Sequence, residues 1–314
     1  MIRVIKYTQD MKQEWDLFAT NAKNSHFMFY RDYMEYHSDR FEDSSLMFYD
    51  DRNKLLAIFP ANIKDNVLYS HQGLTFGGFI IDKDMKQKKL LDCFESLKEF
   101  VKKENLVKVL YKGLPTIYHQ IPSQEDLYGL FINDAKLVRV DSSSCLDLNE
   151  NVKLPKGRKA SISKARREGV HIEESNDFNA FIELENKVLQ AQHNSQAVHS
   201  GEELLLLKQR FPDNIKLYIA KTRENLLVAG ALLFIWRDIV HTQYLANDFV
   251  GRKLGALDLL IKELIDEYRN KGYKYFNFGI SNEDNGRYLN EGLIAQKESF
   301  GARTIAFSQY EIKV

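Results

Sequence analysis

One order of elements occurs twice along this chain, offset by about 170 residues, and that duplication limits the fold more than any single motif does. The first copy, LMFYDDRNKLLAIFPANIKDNVLYSH, reads as strand, Asp-Arg-Asn turn, strand, Lys-Asp-Asn turn, strand. The second, LYIAKTRENLLVAGALLFIWRDIVHTQYL, repeats the scheme around Thr-Arg-Glu-Asn and Arg-Asp turns. Short polar turns between β-branched or aromatic runs are what hairpins need. Each meander leads into a glycine-containing loop and an amphipathic helix, expected at Met85–Lys103 and Gly255–Asn270. Gly272 stands where a helix C-cap glycine belongs. Each helix runs into an apolar strand, Leu106–Tyr111 and Tyr273–Gly279. Meander, helix and strand, taken twice, give mixed α/β (α+β) sheets in two tandem domains.

A length of 314 residues and 44% hydrophobic content are enough for two cores. The expected division is 1–150 and 151–314, with the join in NENVKLPKG, Asn149–Gly157. The alternative is that Leu137–Leu148 crosses over and completes the other sheet. Lys+Arg and Asp+Glu are both 44, so no long-range field favours duplex nucleic acid or an anionic membrane. Two cysteines without CxxC spacing fit reduced thiols in the cytoplasm. The N-terminus lacks an apolar core of signal-peptide length. The longest apolar run, Leu226–Trp236, is about half of what a membrane span needs.

The stretch Tyr273–Arg303 carries the most functional information. An aromatic strand runs into a polar Gly-Ile-Ser-Asn-Glu-Asp-Asn-Gly turn and a short helix ending Gln296-Lys297-Glu298-Ser299-Phe300-Gly301. A strand that stops at a polar loop is where an α/β sheet usually places its ligand. Lys297 is therefore either a solvated helix-end cation or, held near the sheet by the following Phe-Gly-Ala, a site residue. Gly251, Arg252, Lys253, Leu254, Gly255 and Ala256 precede the second long helix. They read as an ordinary turn or as a cradle whose backbone N–H groups and helix dipole suit a pyrophosphate. Strict alternation in Ile239–Asn247 puts His241, Gln243, Leu245 and Asn247 on one face and Val240, Thr242, Tyr244 and Ala246 on the other. That polar row marks a half-exposed edge or an acceptor cleft, with backbone N–H groups near Ala246 and Asn247 for an acyl oxyanion.

Six basic residues fall within Lys156–Arg167, Arg158 and Lys164 among them; they make a solvated helix face or a phosphate clamp. His71, Gln72, His119, His193 and His199 are scattered polar candidates. No pair has HxxxH or HExxH spacing, so no metal is expected. GxSxG and Walker patterns are lacking, which ranks serine catalysis and NTP hydrolysis low.

Taken together, Tyr33–Phe41, Ser70–Ile80, Ile117–Tyr128, Lys156–Val170, Val198–Pro212 and Tyr275–Arg303 make the chain resemble the FemAB-like branch of the GNAT acyltransferase superfamily over nearly its full length. The resemblance implies tandem GNAT-like domains with a cleft between them. The first copy is on the acceptor side or degenerate, and the second binds the donor and catalyses. It also implies transfer of an acyl or aminoacyl group to an amine of a cell-wall or surface-glycan precursor, with acetyl-CoA or another acyl-CoA as co-substrate. By position, Lys297 matches the lysine of the family's Lys-x-x-Phe-Gly segment, which is associated with donor phosphates or developing negative charge. Arg158 and Lys164 match the basic helix, and Gly251–Ala256 match the coenzyme loop. His71, Gln72, Arg158, Lys164, His199, Gln243, Asn277 and Ser281 are the substrate-side candidates. Glu298 or His241 is the candidate base, and Tyr288 or Tyr310 the candidate acid. Asn277 stands where many relatives carry an acid. The helical-hairpin arm of the peptidoglycan-bridge enzymes is missing, which favours acyl-CoA over aminoacyl-tRNA. The two rivals are a tRNA-dependent aminoacyltransferase and a non-catalytic GNAT-fold binding protein.

The expected reaction is direct attack of the amine on a thioester. Its carrier would be wedged between two parting strands of the C-terminal half, with its diphosphate on the glycine hinge.

Overall fold

A computed structural model describes residues 2–314. The chain divides into two units, one of Met1–Asp141, Asp284–Arg287 and Ala306–Val314, the other of Ser142–Glu283 and Tyr288–Ile305. The division therefore falls nine residues before the anticipated 150/151 boundary. The last nine residues also pack with the first unit. The physical reason is a strand, Lys136–Asp147, whose second half pairs in the second unit's sheet, as the crossover alternative has it. Asn149–Gly157 is not a free linker, because a helix starts at Lys156.

The first unit contains β1 (Arg3–Lys6), α1 (Lys12–Asn21), α2 (Arg31–Met34), β2 (Leu46–Tyr49), β3 (Leu55–Phe59), β4 (Asn62–Lys64), β5 (Val67–Tyr69), β6 (Ile80–Ile81), α3 (Gln87–Lys103), β7 (Lys108–Lys112) and α4 (Glu125–Ile132). One sheet has the order β1-β2-β3-β6. β4, β5 and β7 follow one another in a second sheet, so the third strand of the expected meander leaves for a different sheet. Leu90, Cys93, Phe94, Leu97 and Val101 form the buried stripe of α3.

The second unit opens with the later half of β8 (Lys136–Asp147). It continues through α5 (Lys156–Arg167), β9 (His171–Ser175), α6 (Phe178–His193), α7 (Gly201–Arg210), β10 (Ile215–Lys221), β11 (Leu227–Trp236) and β12 (Ile239–Asn247). Then come α8 (Phe249–Leu254), α9 (Ala256–Asn270), β13 (Tyr275–Ile280), β14 (Asn282–Glu283), β15 (Tyr288–Leu289), α10 (Glu291–Glu298) and the start of β16 (Arg303–Lys313). The end of β16 pairs with β7 in the first unit.

The sheet order in the second unit is β8-β13-β12-β11-β10-β9, with only β12 and β13 parallel in the pairings described. Helix starts are fixed by side chains: Asp177 caps α6, Asp248 caps α8, Asn290 caps α10, and Ser200 with Glu203 forms a capping box on α7.

Leu257, Leu260, Ile261, Leu264 and Tyr268 of α9 join Ala229, Ala231, Leu233, Ile235 and Val240 in one core. The other sheet face meets α6, where Phe181 lies against Gly230. Gly272 has φ +78 after α9, the left-handed C-cap expected of it.

Candidate active site

Two neighbouring strands part company at the centre of the second unit. β12 pairs with β13 only through Ile239–Tyr275, Val240–Phe276 and His241–Asn277, although β12 runs on to Asn247 and β13 to Ile280. Each strand carries an extra residue at that point. On β12, Thr242 faces Leu233 and Tyr244 faces Leu232, so Gln243 has no cross-strand partner. On β13, the step from Asn277 to Ile280 is matched by only Cys145 to Ser143 on β8. Such bulges bend a strand and end its pairing.

Asn277 holds the second bulge: its Oδ1 accepts from Ser143 Oγ at 2.8 Å and from the Gly279 N–H at 2.9 Å. Gly279 itself has φ +73, a conformation that favours glycine.

The bulge at Gln243 also corrects the expected polar row. Residues directly opposite across a sheet share a face. Val240, Thr242, Leu245 and Asn247 therefore go with Ile235, Leu233, Ala231 and Ala229 on the α9 side. His241, Tyr244 and Ala246 go with Phe234, Leu232 and Gly230 on the α6 side.

A cavity of about 340 Å³ occupies the opening. Leu245 and Asn247 reach it from β12, Phe278 from β13, Leu257, Asp258 and Ile261 from α9, and Val188 from α6. It thus has walls from helices on both faces of the sheet. Beyond His241, β12 offers an unpaired edge, and Asn247 Oδ1 is buried without a hydrogen bond.

Lys297 closes one wall. It is 5% exposed, and its Nζ donates to the carbonyls of Gly279 at 3.1 Å and Ile280 at 2.6 Å. An ammonium has three donors, so one remains for whatever occupies the cavity. Burial pushes its pKa down to about 8. The His241 ring lies against the same turn, with Cε1 3.4 Å from where a Gly279 side chain would begin. Burial, and then the Lys297 charge, push the imidazole down to about 4. It is therefore neutral near pH 7, and its buried Nδ1 lacks a partner.

The glycine hinge works differently from the expected cradle. Gly251 lies inside α8, where its N–H is taken by Asp248 Oδ1 at 2.7 Å. A Cβ there would sit 2.4 Å from the Val228 carbonyl. Gly255 is the left-handed joint (φ +77) between α8 and α9, and a Cβ on it would lie 2.4 Å from Ser161 Oγ. Both glycines permit close packing rather than an outward-facing nest. The positive end comes instead from the start of α9, which no side chain caps. Ala256, its first residue, is buried.

Arg252 lines the cavity near that end, and among the described residues its guanidinium has no hydrogen bond or ion pair. Lys253 is exposed, with Nζ 4.2 Å from the Phe249 ring centre.

Arg158 also lines the cavity, but as a brace. It pairs with Asp258, donates to Ser299 Oγ at 2.6 Å and lies over the Phe300 ring. Lys164 Nζ is spent on the Lys253 carbonyl at 2.7 Å.

The remaining candidates are dispersed. Glu298, next to Lys297 in α10, is exposed and does not line the cavity, a poor place for a base. Tyr288 is 58% exposed in the β14–β15 hairpin and does not line the cavity. Ser281 is buried, with its Oγ unpaired. His199 precedes α7, and its Nδ1 is 2.8 Å from Tyr244 OH. His193's side chain lies outside the described residues.

His71, Gln72 and Tyr310 belong to the first unit. There Lys112 Nζ donates to the carbonyls of His71, Gln72 and Leu74, and Asn62 holds Gln72. Sequence reasoning missed Asp258, Asn247's orphaned oxygen and Glu185. Glu185 is a 5% exposed carboxyl on α6, and no motif marks it. Among the described residues, no group of three or more His, Cys, Asp or Glu is placed to hold a metal.

Residues 156–288 match the GNAT acetyltransferase domain family. The chain carries a GNAT acyltransferase domain. Among solved structures, FemX is similar over 99% of this chain and 97% of its own, at TM-score 0.71 and 12% identity. L-PGS from Bacillus licheniformis covers 98% and 92% at TM-score 0.65 and 13% identity. A tandem GNAT protein from the clavulanic acid biosynthesis pathway covers 100% and 98% at TM-score 0.56 and 9% identity. A comparison with curated proteins finds no match. The fold is that of FemX and the tandem GNAT protein, and the domain matched at residues 156–288 makes the chain an acyltransferase. Its cavity falls within and just beyond the matched residues.

Proposed function

We propose that this GNAT chain is an N-acyltransferase that moves an acyl group, acetyl from acetyl-CoA, onto the amine of a cell-surface glycan or cell-wall precursor in the cytoplasm. The observation that carries this reading is the parting of β12 from β13 around a cavity shared by Lys297 and the uncapped start of α9. A pantetheine arm is a thin chain with amide groups. The free β12 edge and Asn247 Oδ1 supply hydrogen-bond partners for such amides. Arg252 and the α9 dipole suit its diphosphate.

In the reaction, the amine lone pair attacks the thioester carbonyl and the π pair moves to oxygen. The third Lys297 N–H stabilises that oxyanion. Collapse restores C=O and breaks the C–S bond; nitrogen gives up one proton as the amide forms, and that proton ends on the thiolate sulfur. Calorimetric titration with acetyl-CoA tests the reading: saturable binding supports it, and no heat at millimolar ligand would overturn it.

One observation favours a second donor. Lys156 and Lys159 of α5 are exposed and unpaired among the described residues, on the helix whose Arg158 lines the cavity. They suit the acceptor stem of an aminoacyl-tRNA, whose binding would weaken steeply with salt.

A further inference from the structure

Glu185 is a carboxyl group in the wrong place for a structural residue. It is 5% exposed, and its Oε2 is buried with no hydrogen-bond partner among the described residues. Burying an unpaired carboxylate is expensive, so chains rarely keep one without a use.

Its position is set by helix geometry. Phe181, Glu185 and Val188 fall at i, i+4 and i+7 and share one stripe of α6. Phe181 meets Gly230 of β11, while Val188 lines the acyl-transfer cavity. The carboxyl therefore lies under α6, one turn short of the opening between β12 and β13.

The groups facing it are few. Tyr244 of β12 is close enough for the two to interact electrostatically, and the Tyr244 hydroxyl is engaged with His199. β11 presents Gly230, Leu232 and Phe234 on this face, and the buried residues of α7 are Gly201, Leu204 and Leu207. Burial alone pushes Glu185 up to about 7. By contrast, His241 is too weakly basic to take a proton from an ammonium, and Glu298 faces solvent.

We propose that Glu185 receives a primary ammonium entering the cavity on its α6 side and takes one proton from it. The step balances: an N–H bond of R–NH3+ breaks, its electron pair stays on nitrogen, and the proton goes to a Glu185 oxygen. Neutral R–NH2 and a neutral carboxylic acid result. The acceptor amine and the α-amino group of an aminoacyl donor share this chemistry. The catalytic half of the inference rests on the acyl-transfer reading; the ammonium site does not.

The test is a carbon-13 titration of glutamate-labelled protein. One carboxyl should titrate near pH 7 and be missing from Glu185→Gln. A bound cation favours the carboxylate, so glucosamine should move that midpoint down by about half a unit or more. N-acetylglucosamine, with no cationic nitrogen, should leave it in place. A response to glucosamine assigns the site to the acceptor, and a response to alaninamide alone assigns it to an aminoacyl donor. A midpoint unmoved by either amine overturns the proposal.

With acetyl-CoA and glucosamine, Glu185→Gln should lose the rise in rate through pH 7 without losing acetyl-CoA affinity, and Glu185→Asp should recover part of it. An unchanged pH profile would remove the proton-transfer role. Failure of the wild type to bind acetyl-CoA would sink the donor assignment and leave the titration to decide Glu185.

Discussion

The Lys297 ammonium weakens the hold of the His241 imidazole on a proton across the turn at Gly279, although one residue lies in the last turn of a helix and the other in a strand. Two like charges cannot share so dry a place, and lysine is the stronger base. The consequence is a cationic lysine beside a neutral histidine at pH 7.

Replacing Lys297 by Ala should lower turnover at least tenfold, a loss of about 1.4 kcal/mol of transition-state stabilisation. Nitrogen-15 spectroscopy should show the His241 midpoint rising in that variant. It should stay below an ordinary histidine, because burial is the larger cause. An unchanged rate would take Lys297 out of the reaction.

The same residue shapes stability at high pH. Its folded pKa of about 8 lies below the usual 10.5, so folding disfavours the charged form. The cost is constant below pH 8 and fades as pH rises from 8 to 10.5. Chemical denaturation of Lys297→Met should lack that alkaline gain.

Gly255 and Gly272 separate backbone strain from packing. Both have positive φ, but a Cβ on Gly272 meets nothing within 4 Å, whereas one on Gly255 runs into Ser161. Gly272→Ala should cost about 1–2 kcal/mol and leave ligand binding intact. Gly255→Ala should cost more and also weaken acetyl-CoA, because α5 must move off the start of α9. Thermal melts paired with calorimetry distinguish the two.

Arg252→Ala should weaken acetyl-CoA about tenfold, or about 1.4 kcal/mol. It should leave the melting temperature nearly unchanged, since the guanidinium has no hydrogen bond or ion pair among the described residues. Equal affinity would move the diphosphate elsewhere.

Glu185 reverses the pH trend of Lys297. Its pKa rises from 4.5 to about 7 on folding, so stability falls as pH climbs through that window. Over the same range, the difference between Glu185→Gln and wild type should move by on the order of 3 kcal/mol in the variant's favour. A flat difference would mean the carboxyl is solvated.

The duplicated order of elements, the two amphipathic helices and the Gly272 cap were legible because they rest on local periodicity and turn chemistry. Lys297 was legible from its neighbours, as the Phe-Gly-Ala after it keeps α10 against the sheet. The inner workings were not. Strict alternation placed His241 with Asn247, and a single unpaired residue on β12 undoes that. The glycines of α8 and its junction read as a phosphate nest, yet their Cβ positions are blocked by Val228 and Ser161. Asn277 read as a lost acid and proves to be the brace of a bulge. Glu185 left no trace, since one acid in a helix is ordinary until its burial is known.

Gln243 sets the phase of everything downstream on its strand. Deleting that one residue would restore simple alternation and rotate the segment from Tyr244 to Asn247 by half a revolution. The orphaned amide oxygen would then be carried away from α9, and the phenol that meets His199 would be driven into aliphatic packing. A change in chain length of less than one per cent would thus turn the donor wall inside out.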